Sequence, residues 1–152
     1  MKNFIFASIL FAILLTVNAA RFQLNKKAIT FGPCDSKVPV DLLDVKIGTN
    51  PPEPGKSESF DVSGKLTKND ITKGKTILLI EYINEYGNIL VHYSQNFTDS
   101  IKAGTPFNIS AFDVPTPELL DSYVLGVAVG DPSDNPNKPA PFFGCALALF
   151  FG

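Results

Sequence analysis

From residue 40 onward the apolar residues recur at every second position, in runs that stop at proline, glycine, asparagine or aspartate. Successive side chains of an extended strand point to opposite faces, so this period builds half-buried strands and rules out a long amphipathic helix. Leu43, Val45 and Ile47 alternate with Leu42, Asp44 and Lys46, and the break Pro51-Pro52-Glu53-Pro54-Gly55 follows. The run from Ser57 to Leu66 places Phe60, Val62, Gly64 and Leu66 on one face. Thr76 to Ile83 puts Leu78, Ile80 and Tyr82 opposite Ile77, Leu79 and Glu81. Asn84-Glu85-Tyr86-Gly87-Asn88 reads as a hairpin connection whose glycine supplies the positive φ that tight turns need. Ile89, Val91 and Tyr93 continue the pattern, then Phe107, Ile109 and Ala111 after Lys102-Ala103-Gly104, then Tyr123, Leu125, Val127 and Val129. Glu118 to Asp121 is expected to form one short helical turn. A loop with four prolines, Asp131 to Pro141, precedes a closing strand of Cys145-Ala146-Leu147-Ala148-Leu149-Phe150-Phe151. About seven strands at the spacing of sandwich turns predict an all-β fold of one domain.

The N-terminus predicts a secretory signal over residues 1–19. Lys2 is the positive start, Phe4 to Val17 is apolar apart from Ser8 and Thr16, and Val17-Asn18-Ala19 offers a cleavage site. The run falls short of the roughly 20 apolar residues a spanning helix needs. Residues 20–152 then form the domain. In an oxidising compartment the two cysteines, Cys34 and Cys145, are expected to form a disulfide closing it. Cleavage of the apolar end for a lipid anchor would discard Cys145, so a strand is the preferred reading there. Two sequons, Asn96-Phe97-Thr98 and Asn108-Ile109-Ser110, mark candidate glycosylation sites at Asn96 and Asn108. A glycan on Asn108 requires its face outward, with Phe107 and Ile109 inside.

Chemistry-bearing patterns are sparse. A net charge of -2 with no concentrated basic surface argues against nucleic acid as a partner. The only histidine, His92, lies mid-strand with no nucleophile elbow around any serine, and the pair Asp41 and Asp44 implies no pocket. One histidine and two distant thiols supply no zinc spacing. No catalytic residue, metal site or cofactor is expected.

Several segments, taken in order, carry a resemblance. Phe31-Gly32-Pro33-Cys34-Asp35 opens the domain, Val45-Lys46-Ile47 precedes Pro51-Pro52-Glu53-Pro54-Gly55, and Val62-Ser63-Gly64-Lys65-Leu66 precedes Ile71-Thr72-Lys73-Gly74. Cys145-Ala146-Leu147-Ala148-Leu149 closes it. Over about residues 31–152 the chain resembles the ML-domain lipid-recognition family, closest to its fungal phosphatidylglycerol/phosphatidylinositol transfer members. It departs from many members in lacking extra disulfides, and a proline-rich turn replaces the cysteine-containing turn of the cholesterol carriers. The resemblance implies an immunoglobulin-like sandwich with an apolar cavity between its sheets. It also implies a phospholipid or sterol as ligand, with transient membrane contact by a secreted monomer.

The residues expected to line such a cavity are the inward set of each strand: Phe60, Val62, Leu66, Leu78, Ile80, Tyr82, Val91, Tyr93, Phe107, Ile109, Leu125, Val127, Leu147 and Leu149. Phe142 and Phe143 are adjacent, so they cannot both point inward, and one is expected at the cavity mouth. Lys65, Lys68, Lys73 and Lys75, with Asp70 among them, are candidates for attracting an anionic headgroup. The competing expectation is a secreted adhesion or recognition module with a solid core.

Overall fold

The computed structural model describes residues 27–118, 121–138 and 140–151. The signal expected over 1–19 lies outside the described residues, as does the middle of the turn expected at 118–121. Nine strands form: β1 (Phe31–Gly32), β2 (Asp41–Leu42), β3 (Asp44–Ile47), β4 (Ser57–Lys65), β5 (Ile77–Asn84), β6 (Ile89–Asn96), β7 (Pro106–Pro115), β8 (Ser122–Gly130) and β9 (Phe142–Phe151). The seven longer ones, β3 to β9, are those that alternation predicts. β1 and β2 are two-residue strands flanking Cys34, too short to leave a periodic signal.

The strands make two sheets. One has the order β1-β9-β8-β5-β6, with β2 added in parallel to β9; the other has the order β3-β4-β7. Among the long strands the first, second and fifth share one sheet and the remaining four the other. This is the connectivity of an immunoglobulin-like sandwich whose fourth long strand has joined its hairpin partner. β5 and β8 lie at the centre of the larger sheet, and their inward residues Leu78, Ile80, Tyr82, Leu125, Val127 and Val129 are fully buried. Phe60, Val62, Ala111 and Val114 of the facing sheet complete the core.

The turns follow local chemistry. Gly87 adopts φ 83°, and the Asn84 side-chain carbonyl accepts the amides of Tyr86 at 3.0 Å and Asn88 at 2.9 Å. Gly104, also at φ 83°, donates its amide to the Leu66 carbonyl at 2.7 Å. Cys34 and Cys145 are joined, with Cα atoms 5.9 Å apart and a sequence separation of 111. In the chain-entropy account a loop of that length is worth about 4–5 kcal/mol.

β9 corrects one expectation. Side-chain size predicts Leu147 and Leu149 inward, but the structure turns Gly144, Ala146 and Ala148 to the core and leaves Leu149 half exposed. The register explains it. Gly144 sits opposite Val129 and Ala146 opposite Val127, while Cys145 falls on the outer row with Ala128. The space left by the small residues is taken by large ones from elsewhere: a Cβ on Gly144 would lie 2.7 Å from Leu43 Cδ2 and 3.1 Å from Leu66 Cδ2. Gly144→Val is therefore expected to destabilise the domain by about 1–3 kcal/mol through overpacking. Leu43→Ala in the same chain should restore part of that loss in denaturant titrations.

Burial also raises the phenol of Tyr123 from 10.0 to about 12, and that of Tyr82 further. The folded state then keeps protons that the unfolded chain releases. Stability should be undiminished below pH 10 and fall as pH rises from 10 toward 12. Denaturation midpoints measured alongside phenolate absorbance check this.

Candidate functional site

The chain enters the sandwich along the free side of β9. Phe31 pairs with Ala148 and Gly32 with Leu147, which makes β1 the edge of the larger sheet. Two attachments hold this segment. At one end is the disulfide; at the other the Asn50 side chain accepts the Ile29 amide at 2.8 Å and donates to the Ile29 carbonyl at 3.0 Å. An amide side chain thus imitates a strand partner. β3 is the edge of the smaller sheet, paired on one side only with β4.

A cleft of about 640 Å³ opens between these two edges. Its lining is mixed: Ile29 and Phe31 from one side and Leu43, Val45 and Ile47 from the other supply apolar surface, and Thr30, Asp44, Lys46 and Asn50 supply polar surface. Val45 stands opposite Val62 and Ile47 opposite Phe60, which fixes both on the inner face. Asp44 and Lys46 alternate outward and leave charge on the rim.

The opposite edge of the sandwich is shut. There the Tyr93 hydroxyl donates to the Gln95 side chain at 2.7 Å, and Gln95 Nε2 donates to the Ser110 carbonyl at 3.1 Å, tying β6 to β7. Another, smaller hollow of about 380 Å³ lies on the outer face of β9, where Leu147, Leu149 and Phe151 meet Ala28 and Thr30. A small apolar pocket of about 70 Å³ sits at one end, among Pro51, Pro52, Pro54, Pro117, Tyr123 and Phe150.

The expected cavity walls are thereby redistributed. Phe60, Val62, Leu66, Leu78, Ile80, Tyr82, Phe107, Leu125 and Val127 belong to the buried cluster between the sheets and are not among the residues lining the hollows just described. Val91, Tyr93 and Ile109 pack half-buried toward the shut edge. Phe143 packs on the core, and Phe142 points to solvent at 43% exposure. Leu147 and Leu149 line the outer hollow, not the interior. The opening lies instead at the β1–β3 edge. The alternation of Leu43, Val45 and Ile47 marked those residues as one face of a strand. Nothing local marked that strand as an edge, and that is what opens the cleft.

Charged groups are engaged structurally. Of the expected lysine group, Lys75 Nζ lies 3.5 Å from Asp131; outside that group, Lys102 Nζ lies 3.9 Å from Asp70. His92 Nδ1 lies 2.7 Å from Glu81 Oε1 across the β5–β6 register, on the outer face. Asp41 accepts the Thr67 amide and hydroxyl at 2.9 and 3.0 Å. Among the described residues no three His, Cys, Asp or Glu side chains gather to hold a metal ion.

Fold and site together define a disulfide-closed, two-sheet β-sandwich with a lateral cleft of mixed apolar and polar lining. No family model matches the sequence, and no curated protein matches it either. Among solved structures the chain is similar to a beta-glucuronidase from glycoside hydrolase family 2, at 15% identity and a TM-score of 0.43. That similarity covers 81% of this chain and 12% of the other, so the chain spans only a small part of that enzyme's length.

Asn50→Ala should free the segment before β1. Losing two hydrogen bonds to one backbone unit is expected to cost about 1–3 kcal/mol. Amide exchange at Ile29 should rise well above that at β5, whose protection should be unchanged.

Proposed function

We propose that this is a lipid-binding protein of the secretory route, holding the apolar part of a phospholipid or sterol in the cleft between β1 and β3. The observation that carries the reading is the cleft itself. Its volume of about 640 Å³ falls in the ordinary range for ligand sites. Ile29, Phe31, Leu43, Val45 and Ile47 supply its apolar surface, and Thr30, Asp44, Lys46 and Asn50 its polar surface. An acyl chain laid there gains about 0.8 kcal/mol for each methylene removed from water. Binding of this kind needs shape and apolar surface and no reactive group. The Cys34–Cys145 disulfide is compatible with an oxidising compartment, which supports secretion. The resemblance to the ML-domain family points the same way, with the difference that the ligand lies at the side of the sandwich and not in its middle.

One observation favours the second reading, a recognition module. Among the described residues β3 is paired on one side only, and an extended segment of another protein can add to its other side.

Mass spectrometry of an organic extract of the purified secreted protein, with displacement of a fluorescent fatty acid, separates the two. Co-purifying phospholipid or sterol and saturable displacement are expected. Val45→Trp should fill the cleft and weaken displacement at least tenfold, about 1.4 kcal/mol, with the circular dichroism of the fold retained. A protein that neither carries nor displaces any lipid class removes this reading and leaves recognition.

A further inference from the structure

The edge of the sandwich opposite the cleft carries few of the residues that keep a free strand from pairing with another chain. Among the described residues β6 ends the larger sheet and β7 ends the smaller, so each has a backbone side without a strand partner there. They are long, at eight and ten residues. Long free edges pair with other chains unless lysine, proline or a cover prevents it. β6, Ile-Leu-Val-His-Tyr-Ser-Gln-Asn, has neither lysine nor proline. β7 has prolines only at its two ends and a single charge, Asp113. Exposed apolar side chains add to the hazard: Ile89 and Leu90 on β6, and Phe112 on β7, which is 67% exposed.

Both sequons of the chain fall on these two strands. Asn96 is the last residue of β6 and Asn108 the third of β7, and together they bracket the connection between them. The fold turns both asparagines out. Asn108 is exposed while its neighbours Phe107 and Ile109 pack inward, and Asn96 is exposed while Phe97 is buried. Alternation thus leaves each amide free to carry a glycan with no change to the core. The cleft edge, formed by β1 and β3, carries no sequon.

We propose that Asn96 and Asn108 are both N-glycosylated and that the two glycans cover the β6–β7 edge. A hydrated, branched sugar beside each free strand denies it to another chain and to a membrane. The molecule therefore stays monomeric and meets its partners through the β1–β3 side. The modification rests on the secretory reading, while the covering of an edge holds whatever the cleft binds.

The test is expression of the full chain, with its own N-terminus, in a eukaryotic secreting cell. Intact-mass measurement before and after glycosidase treatment should show two glycans, with one lost in each of Asn96→Gln and Asn108→Gln. Light scattering on a sizing column should give a monomer for the natural chain. The double variant should associate as concentration rises, and Ser94→Lys added on β6 should return it to a monomer. If the double variant is not secreted, trimming the folded natural protein to single sugars supplies the same comparison. Secreted protein with bare asparagines overturns the modification. Trimmed or double-variant protein that remains monomeric, or an association that Ser94→Lys leaves intact, overturns the covering role. A chain retained in the cytosol overturns the secretory reading and the glycans together.

Discussion

The parity of β9 governs this structure. Cys145 must point away from the core to meet Cys34, and a strand that turns one residue out turns its neighbours in. Gly144, Ala146 and Ala148 therefore face the opposite sheet with almost no side chain. That shallow inner surface is what lets Leu43 and Leu66 close over Gly144. It also brings the first residues of the domain alongside β9, and so places β1 where it forms one wall of the cleft. A one-residue slip would bury a disulfide and Leu147 in a space sized for alanine.

Polar side chains in and around the core serve mainly to peg the connections. The buried Glu58 carboxylate accepts the amides of Thr49 at 3.0 Å and Ser59 at 2.8 Å, holding the chain where β3 gives way to the proline-rich turn. Thr76, fully buried, accepts the Thr72 amide at 2.8 Å and donates to Asp131 at 2.7 Å, joining two loops far apart in sequence. Asp41 does the same for Thr67, and Asp70 for Ala103. Acidic residues that in isolation read as possible acid–base groups are spent on backbone amides.

Much of this architecture was legible from residue pattern, and the limits of legibility are physical. Strands β3 to β9 announce themselves because each is long enough to repeat its alternation two or more times. The hairpin at Gly87 is legible because its conformation selects glycine. Pairing of Cys34 with Cys145 follows once only two thiols exist. The orientation of β9 was not legible, since burying the bigger residues is the ordinary preference and only the disulfide and register reverse it. The cleft was hidden for another reason. Whether inward residues touch a facing sheet or border an opening depends on which strands end each sheet. That is a property of topology, and Ile29 and Phe31 belong to a segment with too few residues to show a period.

The covalent tie has a mechanical meaning as well. Tension applied between residues near the two ends of the domain would travel along the chain to Cys34, cross the sulfur bridge to Cys145, and leave along β9. The whole stretch of chain between them lies outside that path. Only the short stretch before Cys34 and the outer half of β9 would peel under load. The rest of the sandwich would hang from the bridge unstretched, until reduction of the bridge routed the force through every strand in turn.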